Sequence, residues 1–396
     1  MADRLRVLLL FGGRSAEHDV SRVSAVVVAA ALDPARYEVV PVAITTEGRW
    51  LLAGEARALL ADHRHALPAA FAVEGLPVAE VPDPAQRALL PLDAPTPAQL
   101  AAGGSLEFDV VLPLLHGPYG EDGTVQGLFE LAGVPYVGSG VVGSAVGMDK
   151  VMMKRVFAAE GLPIAADLVH REGRDLATFV GRVEAELGYP CFVKPANMGS
   201  SVGVNRATDR ASLAVAMDAA LGFDEWVVVE EAVVAREIEV GVLGDDDPEA
   251  SVPGEIVPGD VFYTYADKYE GDAAQLLVPA PLSPEATAEV RALALAAFAA
   301  CRCAGMARVD FFYEERGPDG SPGRGFLVNE VNTIPGFTPI SMFPRLWALS
   351  GVPYPELLDR LIAHARERHE RRTRRAGRQR DETAKAGPRG ADGAGR

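Results

Sequence analysis

The chain has 396 residues, 48% hydrophobic and 23% charged, which predicts a globular protein with two or three packed cores. Its net charge is −17, while the stretch from Ala365 to Arg396 carries eleven Lys or Arg against five Asp or Glu, so the body before it lies near −23. A surface that acidic excludes nucleic acid as the main partner, because phosphate backbones select basic surfaces, and no apolar run approaches the roughly 18–20 residues that span a bilayer.

In chain order, Arg4 to Phe11 is an apolar run closed by Gly12-Gly13, with Val20, Val23, Val27 and Ala31 following at helical spacing: strand, glycine turn, helix. The opening MADRLRVLLLF lacks the apolar length and cleavage site of a signal peptide, so a cytoplasmic location is expected. Further strands are expected at Tyr37 to Thr45 and Phe108 to Leu115, separated by an Ala- and Pro-rich stretch from Ala53 to Gly104 that has no assigned role. Apolar strands alternating with helices indicate a parallel α/β sheet over 1–140. Residues 141–225 read as a small α+β unit containing the β-flanked turn CFVKPANMGSSVGV. Over 226–365, VVVEEAV, EIEVGVLG, MARVDFFYE and GFLVNEVN are strand-like, with one Ala- and Leu-rich helix from Pro284 to Ala304, which predicts a mixed or antiparallel sheet. The basic segment 366–396 starts as the polar end of a helix and reads thereafter as a disordered tail. Cys191, Cys301 and Cys303 have no CxxC spacing and sit in apolar contexts, as buried thiols do.

Chemistry concentrates on two strands. Side chains alternate along a strand, so Arg308 and Asp310 share a face, as do Glu330 and Asn332, and the turn-rich EERGPDGSPGRG between them suits a hairpin that joins the faces. Two carboxylates and an amide oxygen beside a guanidinium suit Mg²⁺, which takes one or two carboxylates and completes its shell with water and phosphates. A plain charged surface is the alternative, against which stand the apolar neighbours Val309, Phe311, Val328 and Val331. Next comes TIPGFTPIS, where the Gly336 N–H and Arg308 together can stabilise an oxyanion, although Pro-Gly alone marks only a turn. Lys194 followed by PANMGSSVG can cover phosphates with backbone N–H groups and a point charge, or be a simple hairpin turn. Lys150 is a second phosphate candidate or a solvated helix-start lysine. Glu17 lies where the first helix begins, a place that favours acids in any case, and otherwise would receive an ammonium group. His116, in HGPYGEDG, stands at the C-terminal end of a strand, where open α/β sheets bind ligands. FYTYADKYEG has the aromatic and glycine content of a closing loop.

These pieces, in this order, resemble the D-alanine:D-alanine ligases of the ATP-grasp superfamily: GGxSAExxVS, HGxxGEDGxxQG, MDK, KPxxxGSSVG, VEE before REIEV, YxxKY, and RxDFF with NEVNTxPGxT, from about residue 5 to 365. The resemblance implies a three-domain ATP-grasp fold, an N-terminal α/β substrate domain followed by two α+β domains that clamp ATP. It implies ATP-dependent joining of two D-alanines through a D-alanyl phosphate for peptidoglycan precursor synthesis, in a homodimer. By the same resemblance Glu17 binds the first D-alanine's ammonium group, with His116 nearby and Ser341 on the second substrate's carboxylate. Lys150, Lys194 and Lys268 hold ATP phosphates, Glu230 the adenine amino group and Glu237 the ribose. Asp310, Glu330 and Asn332 bind two Mg²⁺, or Mn²⁺ in its place; Arg308 and Gly336 form the oxyanion site; and Ser200 links the glycine-rich loop to Tyr269 and Glu17. D-Lactate or D-serine as second substrate is the alternative, disfavoured by Tyr269. A different ATP-grasp ligase need not combine Glu17, the SSVG loop and YxxKY, and a non-catalytic nucleotide sensor would be expected to lose Arg308, a metal ligand or Gly336.

Overall fold

The computed structural model describes residues 4–52, 76–80, 88–92, 107–257, 275–317, 320–338 and 340–385, with side chains up to residue 377. The first sheet comprises β1 (Leu5–Gly12), β2 (Tyr37–Ile44), β3 (Trp50–Leu52), β4 (Leu76–Glu80), β5 (Leu89–Pro91) and β6 (Val110–Pro113), in the order β5-β4-β3-β2-β1-β6. The strand β1 pairs in parallel with both β2 and β6, whereas β3, β4 and β5 extend the sheet antiparallel. The parallel heart is buried on both faces, which is why β1 has almost no polar residue: Val7, Leu9 and Phe11 enter one core, Leu8 and Leu10 the other. Each such side chain contributes about 1.5–3 kcal/mol on burial.

The first helix, α1 (His18–Ala31), buries a different stripe from the expected Val23 and Val27. Val20, Ser21, Ser24, Ala25 and Val28 face inward, because the Ser21 hydroxyl receives the Gly12 N–H at 2.7 Å and donates to the Leu114 carbonyl. A polar residue is admitted where it closes the backbone bonds of the glycine turn. Two short helices, α2 (Thr124–Ala132) and α3 (Val141–Met148), lead to the second unit.

That unit contains α4 (Lys150–Ala159), β7 (Asp167–Arg171), α5 (Leu176–Glu186), β8 (Cys191–Pro195), β9 (Asn205–Ala207), α6 (Arg210–Leu221) and β10 (Trp226–Glu231), with strand order β7-β10-β8-β9. The sequence places β10 in the third unit; its antiparallel pairing with both β7 and β8 puts it at the centre of the second sheet. Apolar period marks a strand but not the sheet it joins. The Asp149 carboxylate caps α4 by accepting the Met152 N–H at 2.9 Å, which fixes where Lys150 and Lys154 emerge.

The third sheet orders β11 (Arg236–Gly244), β12 (Glu249–Val257), β13 (Gln275–Leu277), β14 (Gly305–Arg316) and β15 (Pro322–Asn332) as β13-β12-β11-β14-β15, antiparallel throughout. The helix α7 (Pro284–Ala300), capped by Ser283 with proline in its first turn, covers one face. The chain ends with α8 (Met342–Leu349) and α9 (Tyr354–Lys385). Phe343 and Trp347 of α8 and Leu357, Leu358, Leu361 and Ile362 of α9 share a core with β1 and α1, so the last helices tie the third sheet to the first.

The basic segment differs from its expectation of disorder: α9 continues through it as far as Lys385, and 386–396 lie outside the described residues. Arg368 donates to the Tyr136 carbonyl at 2.7 Å and pairs with Asp245 at 3.5 Å, Arg371 reaches Asp245 at 3.3 Å, and Arg372 pairs with Glu130. Arginine is a good helix former, and the acidic body supplies the partners that composition by itself does not reveal. The three cysteines are free and buried, as expected.

Candidate active site

A cavity of about 410 Å³ opens where the three units meet, and Glu17, His116, Lys150, Ser200, Arg308, Glu330, Asn332, Gly336 and Ser341 all line it. Its floor is the β14–β15 pair. Arg308 stands directly opposite Asn332 and Asp310 opposite Glu330, on one face, while Val309, Phe311, Val328 and Val331 on the other face join the core beneath α7. A β-bulge follows at once, with Asn329 as the extra residue between the Asp310–Glu330 and Phe311–Val328 pairs. The bulge keeps apolar residues inward on both sides of an irregular step, as bulges beside functional residues often do.

Arg308 grips Asp310 with both arms of its fork, Nε to Oδ1 and Nη2 to Oδ2 each at 2.7 Å, and Nε lies 3.2 Å from Glu239 Oε2. The Asn332 amide donates to Asp310 Oδ2 at 2.9 Å. Burial works against the guanidinium's charge, but Asp310, Glu239 and Glu330 outweigh it and hold the Arg308 pKa well above its ordinary value. Glu239 is a member that sequence reading missed. It shares a face with Glu237, two residues earlier, and stands opposite Asp310 in register, so the period-two rule applied to REIEV would have found it. Three carboxylates around one guanidinium leave an excess of negative charge under the cavity.

His116 is 5% exposed, and its Nδ1 lies 3.0 Å from the Ile334 carbonyl. A carbonyl only accepts, so Nδ1 carries a proton and donates to it, while Nε2 has no partner among the described residues. Glu121, also missed, ties the same two loops: its Oε2 accepts the Gly117 N–H and its Oε1 the Ile334 N–H, both at 2.8 Å. Burial pushes its pKa up to about 8, helped by Glu17 and opposed by the two amide hydrogens and Arg308. A Cβ at Gly336 would lie 2.7 Å from Ser341 Oγ, so a side chain there would displace that hydroxyl. Ser341 Oγ meets Thr338 Oγ1 at 2.7 Å and accepts the Thr338 N–H at 3.1 Å.

The wall of the cavity is the glycine-rich loop. Ser200 Oγ donates to Glu17 Oε1 at 2.5 Å, joining the loop to the N-terminal unit. Glu17 does stand at the N-cap of α1, without a side-chain cap bond, and its carboxylate also makes this contact between units. Lys150 Nζ donates to the Met198 carbonyl at 2.6 Å and holds the loop's base; burial pulls its pKa down. Ser200, Ser201 and Gly203 all have positive φ, which lets this tight turn stay in place.

Lys194, Glu230 and Glu237 lie outside this cavity. Lys194 Nζ is 2.6 Å from Glu230 Oε2, and Lys154 Nζ is 3.3 Å from Glu230 Oε1. Burial alone would raise the Glu230 pKa, but the two lysines outweigh it and lower it to about 2. Burial likewise works against the charge of Lys194, and Glu230 overcomes it, so that lysine's pKa is raised. Lys268 and Tyr269 lie outside the described residues.

Among the described residues no three His, Cys, Asp or Glu side chains form a ready metal cage. The donor set suits Mg²⁺ nonetheless: two facing carboxylates and an amide are what that ion uses when phosphate oxygens and water supply the rest. The excess negative charge around Arg308 is consistent with a divalent cation.

A model described as the D-ala D-ala ligase N-terminus matches residues 6–139, and one described as the D-ala D-ala ligase C-terminus matches 156–363. A D-alanine–D-alanine ligase of Geobacillus kaustophilus is 46% identical over 374 residues, 93% of this chain and 96% of the relative. One from Mycobacterium sp. (strain JLS) is 48% identical over 369 residues, 91% and 95% of the two chains. Among solved structures, the D-alanine-D-alanine ligase from Coxiella burnetii superposes with a TM-score of 0.82 at 32% identity, covering 97% of this chain and all of the other. The VanG D-Ala:D-Ser ligase from Enterococcus faecalis gives 0.77 at 30% identity over 92% of this chain and all of the other.

Proposed function

This chain belongs to the D-alanine–D-alanine ligase family, and from that premise we propose how its cleft performs the reaction. The enzyme uses ATP to join two D-alanine molecules through a D-alanyl phosphate, releasing ADP and phosphate, for the peptidoglycan of the cell wall. In the proposed arrangement Glu17 receives the ammonium group of the first D-alanine, with His116 nearby. The carboxylate of that D-alanine attacks the γ-phosphorus, and the bond to ADP breaks. Lys150 and Lys194 neutralise the phosphates, Lys268 adds to them, Glu230 accepts from the adenine amino group and Glu237 from the ribose. Mg²⁺ held by Asp310, Glu330 and Asn332, as two ions or with Mn²⁺ in their place, would neutralise the charge of the transferring phosphoryl group.

The amine of the second D-alanine, its carboxylate on Ser341, then attacks the acyl carbon. Negative charge gathers on the former carbonyl oxygen, where Arg308 and the Gly336 N–H meet it; one such donor is worth about 2.7–4 kcal/mol in the transition state. Phosphate leaves with one oxygen of the first substrate's carboxylate. Closure matters because acyl phosphates hydrolyse; the Ser200–Glu17 contact supports a link between loop and N-terminal unit that, by the family resemblance, would include Tyr269 and exclude water. The observation that carries this reading is the facing register of Arg308 with Asn332 and of Asp310 with Glu330 at the floor of a cavity walled by Glu17 and Ser200. A homodimer is proposed on family resemblance, and a cytoplasmic location on the need for ATP; among the described residues no helix is long and apolar enough to cross a membrane.

The test is phosphate release by the purified protein with ATP, Mg²⁺ and D-alanine, adding D-alanine, D-lactate or D-serine as second substrate. Release with D-alanine as the preferred partner near neutral pH supports the reading. Preference for D-lactate overturns the part assigned to Tyr269, and absence of release with all three overturns the whole.

A further inference from the structure

The helix α4 carries two lysines one turn apart that have different partners. Lys150 ends on the glycine-rich loop, whereas Lys154, 3% exposed, reaches carboxylates of the second sheet. Its Nζ lies 3.3 Å from Glu230 Oε1 and 3.7 Å from Asp167 Oδ1, and donates to the Ala165 carbonyl at 3.2 Å. Asp167 and Glu230 face each other across the β7–β10 ladder, so two carboxylates stand side by side in a poorly solvated place. Lys154 is the cation between them.

The two oxygens of Glu230 are divided between two lysines of different freedom. Oε1 belongs to Lys154 and Oε2 to Lys194, which is 13% exposed and begins the loop proposed to cover the phosphates. If Lys194 moves to a phosphate, Oε2 is vacated while Oε1 stays anchored. An ionised carboxylate only accepts hydrogen bonds; a protonated one also donates. A buried Glu230 left without a cation takes up a proton more readily and loses its preference for a donor over an acceptor.

We propose that Lys154 is a positioning residue for nucleotide selection: it anchors Glu230 so that the free oxygen accepts the exocyclic amino group of adenine and repels a base with a carbonyl at that position. This rests on the reading of Glu230 as the acceptor for the base. No contact between Lys154 and the nucleotide is implied, which separates its role from those of Lys150 and Lys194.

The experiment compares ATP with inosine triphosphate, which carries a carbonyl where adenine carries the amino group. Wild type, Glu230→Gln, Lys154→Met, Lys154→Gln and Lys154→Arg are measured for KM and kcat with each nucleotide, alongside thermal unfolding. Glu230→Gln is expected to reduce the ATP preference in kcat/KM about tenfold or more; an unchanged preference there defeats the reading of Glu230 itself. Lys154→Met and Lys154→Gln are expected to raise KM for ATP about tenfold, to leave the KM values for D-alanine within twofold, and to cut the ATP preference at least fivefold, with Lys154→Arg restoring most of it. A folded Lys154→Met or Lys154→Gln that keeps the wild-type preference, while Glu230→Gln loses it, overturns the proposal. Failure of both neutral variants to fold also overturns it and assigns Lys154 to the core.

Discussion

Replacing Arg308 by lysine keeps the charge and removes the fork. The guanidinium holds both oxygens of Asp310 at 2.7 Å and lies 3.2 Å from Glu239, three contacts that one ammonium centre cannot reproduce in parallel. Loss of one charge-assisted bond in a buried setting costs about 1.5–3 kcal/mol of stability. Arg308→Met, which leaves Glu239, Asp310 and Glu330 with no cation between them, costs about 3–5 kcal/mol. Activity responds more steeply, because the lysine also misplaces the donor that meets the oxyanion: kcat/KM for Arg308→Lys falls by about 10²–10³. Denaturant unfolding and steady-state phosphate release on the same preparations separate the two effects. A stable Arg308→Lys enzyme within fivefold of wild-type kcat/KM would refute the reasoning, as would a methionine variant more stable than the lysine one.

Asn332→Ala removes an amide bonded to Asp310 at 2.9 Å in a half-open position, so turnover is expected to fall at least a hundredfold while the unfolding midpoint moves little; loss of folding instead would make the cluster structural. Gly336→Ala places a Cβ 2.7 Å from Ser341 Oγ, and a drop in kcat with a raised KM for D-alanine is expected in steady-state assays. Glu230 has its folded pKa lowered to about 2, so its ion pairs contribute fully above the unfolded value near 4.5 and are lost as pH falls toward 2. The stability of Glu230→Gln therefore varies less with pH over that window, as acid unfolding followed by circular dichroism would show. Truncation after Ala365 removes Arg368, Arg371 and Arg372 from Asp245, Tyr136 and Glu130, and a lower melting temperature is expected in calorimetry.

The chemistry on β14 and β15 was legible because a strand has a period of two and the hairpin linker is short, so Arg308, Asp310, Glu330 and Asn332 share a face by arithmetic. Glu239 needed one more step, since its strand is distant in sequence and only the ladder puts it opposite Asp310. Glu121 and Lys154 were harder to see. Each lies within a motif whose neighbours, His116 and Lys150, draw attention first, and each acts through contacts 213 and 76 residues away in sequence. The membership of β10 in the second sheet and the continuation of α9 through its arginines escaped for the same reason: sheet partners and ion-pair partners are tertiary facts. The fate of Lys268 and Tyr269 in the proposed lid lies outside the described residues.

The most direct test of the account follows one oxygen atom. D-Alanine labelled with ¹⁸O in its carboxylate is turned over with ATP and Mg²⁺, and the inorganic phosphate is examined by mass spectrometry. Capture of the carboxylate by the γ-phosphoryl group predicts one ¹⁸O per phosphate released, in step with D-alanyl-D-alanine formed. Unlabelled phosphate, or dipeptide formed with AMP and pyrophosphate as products, would contradict it.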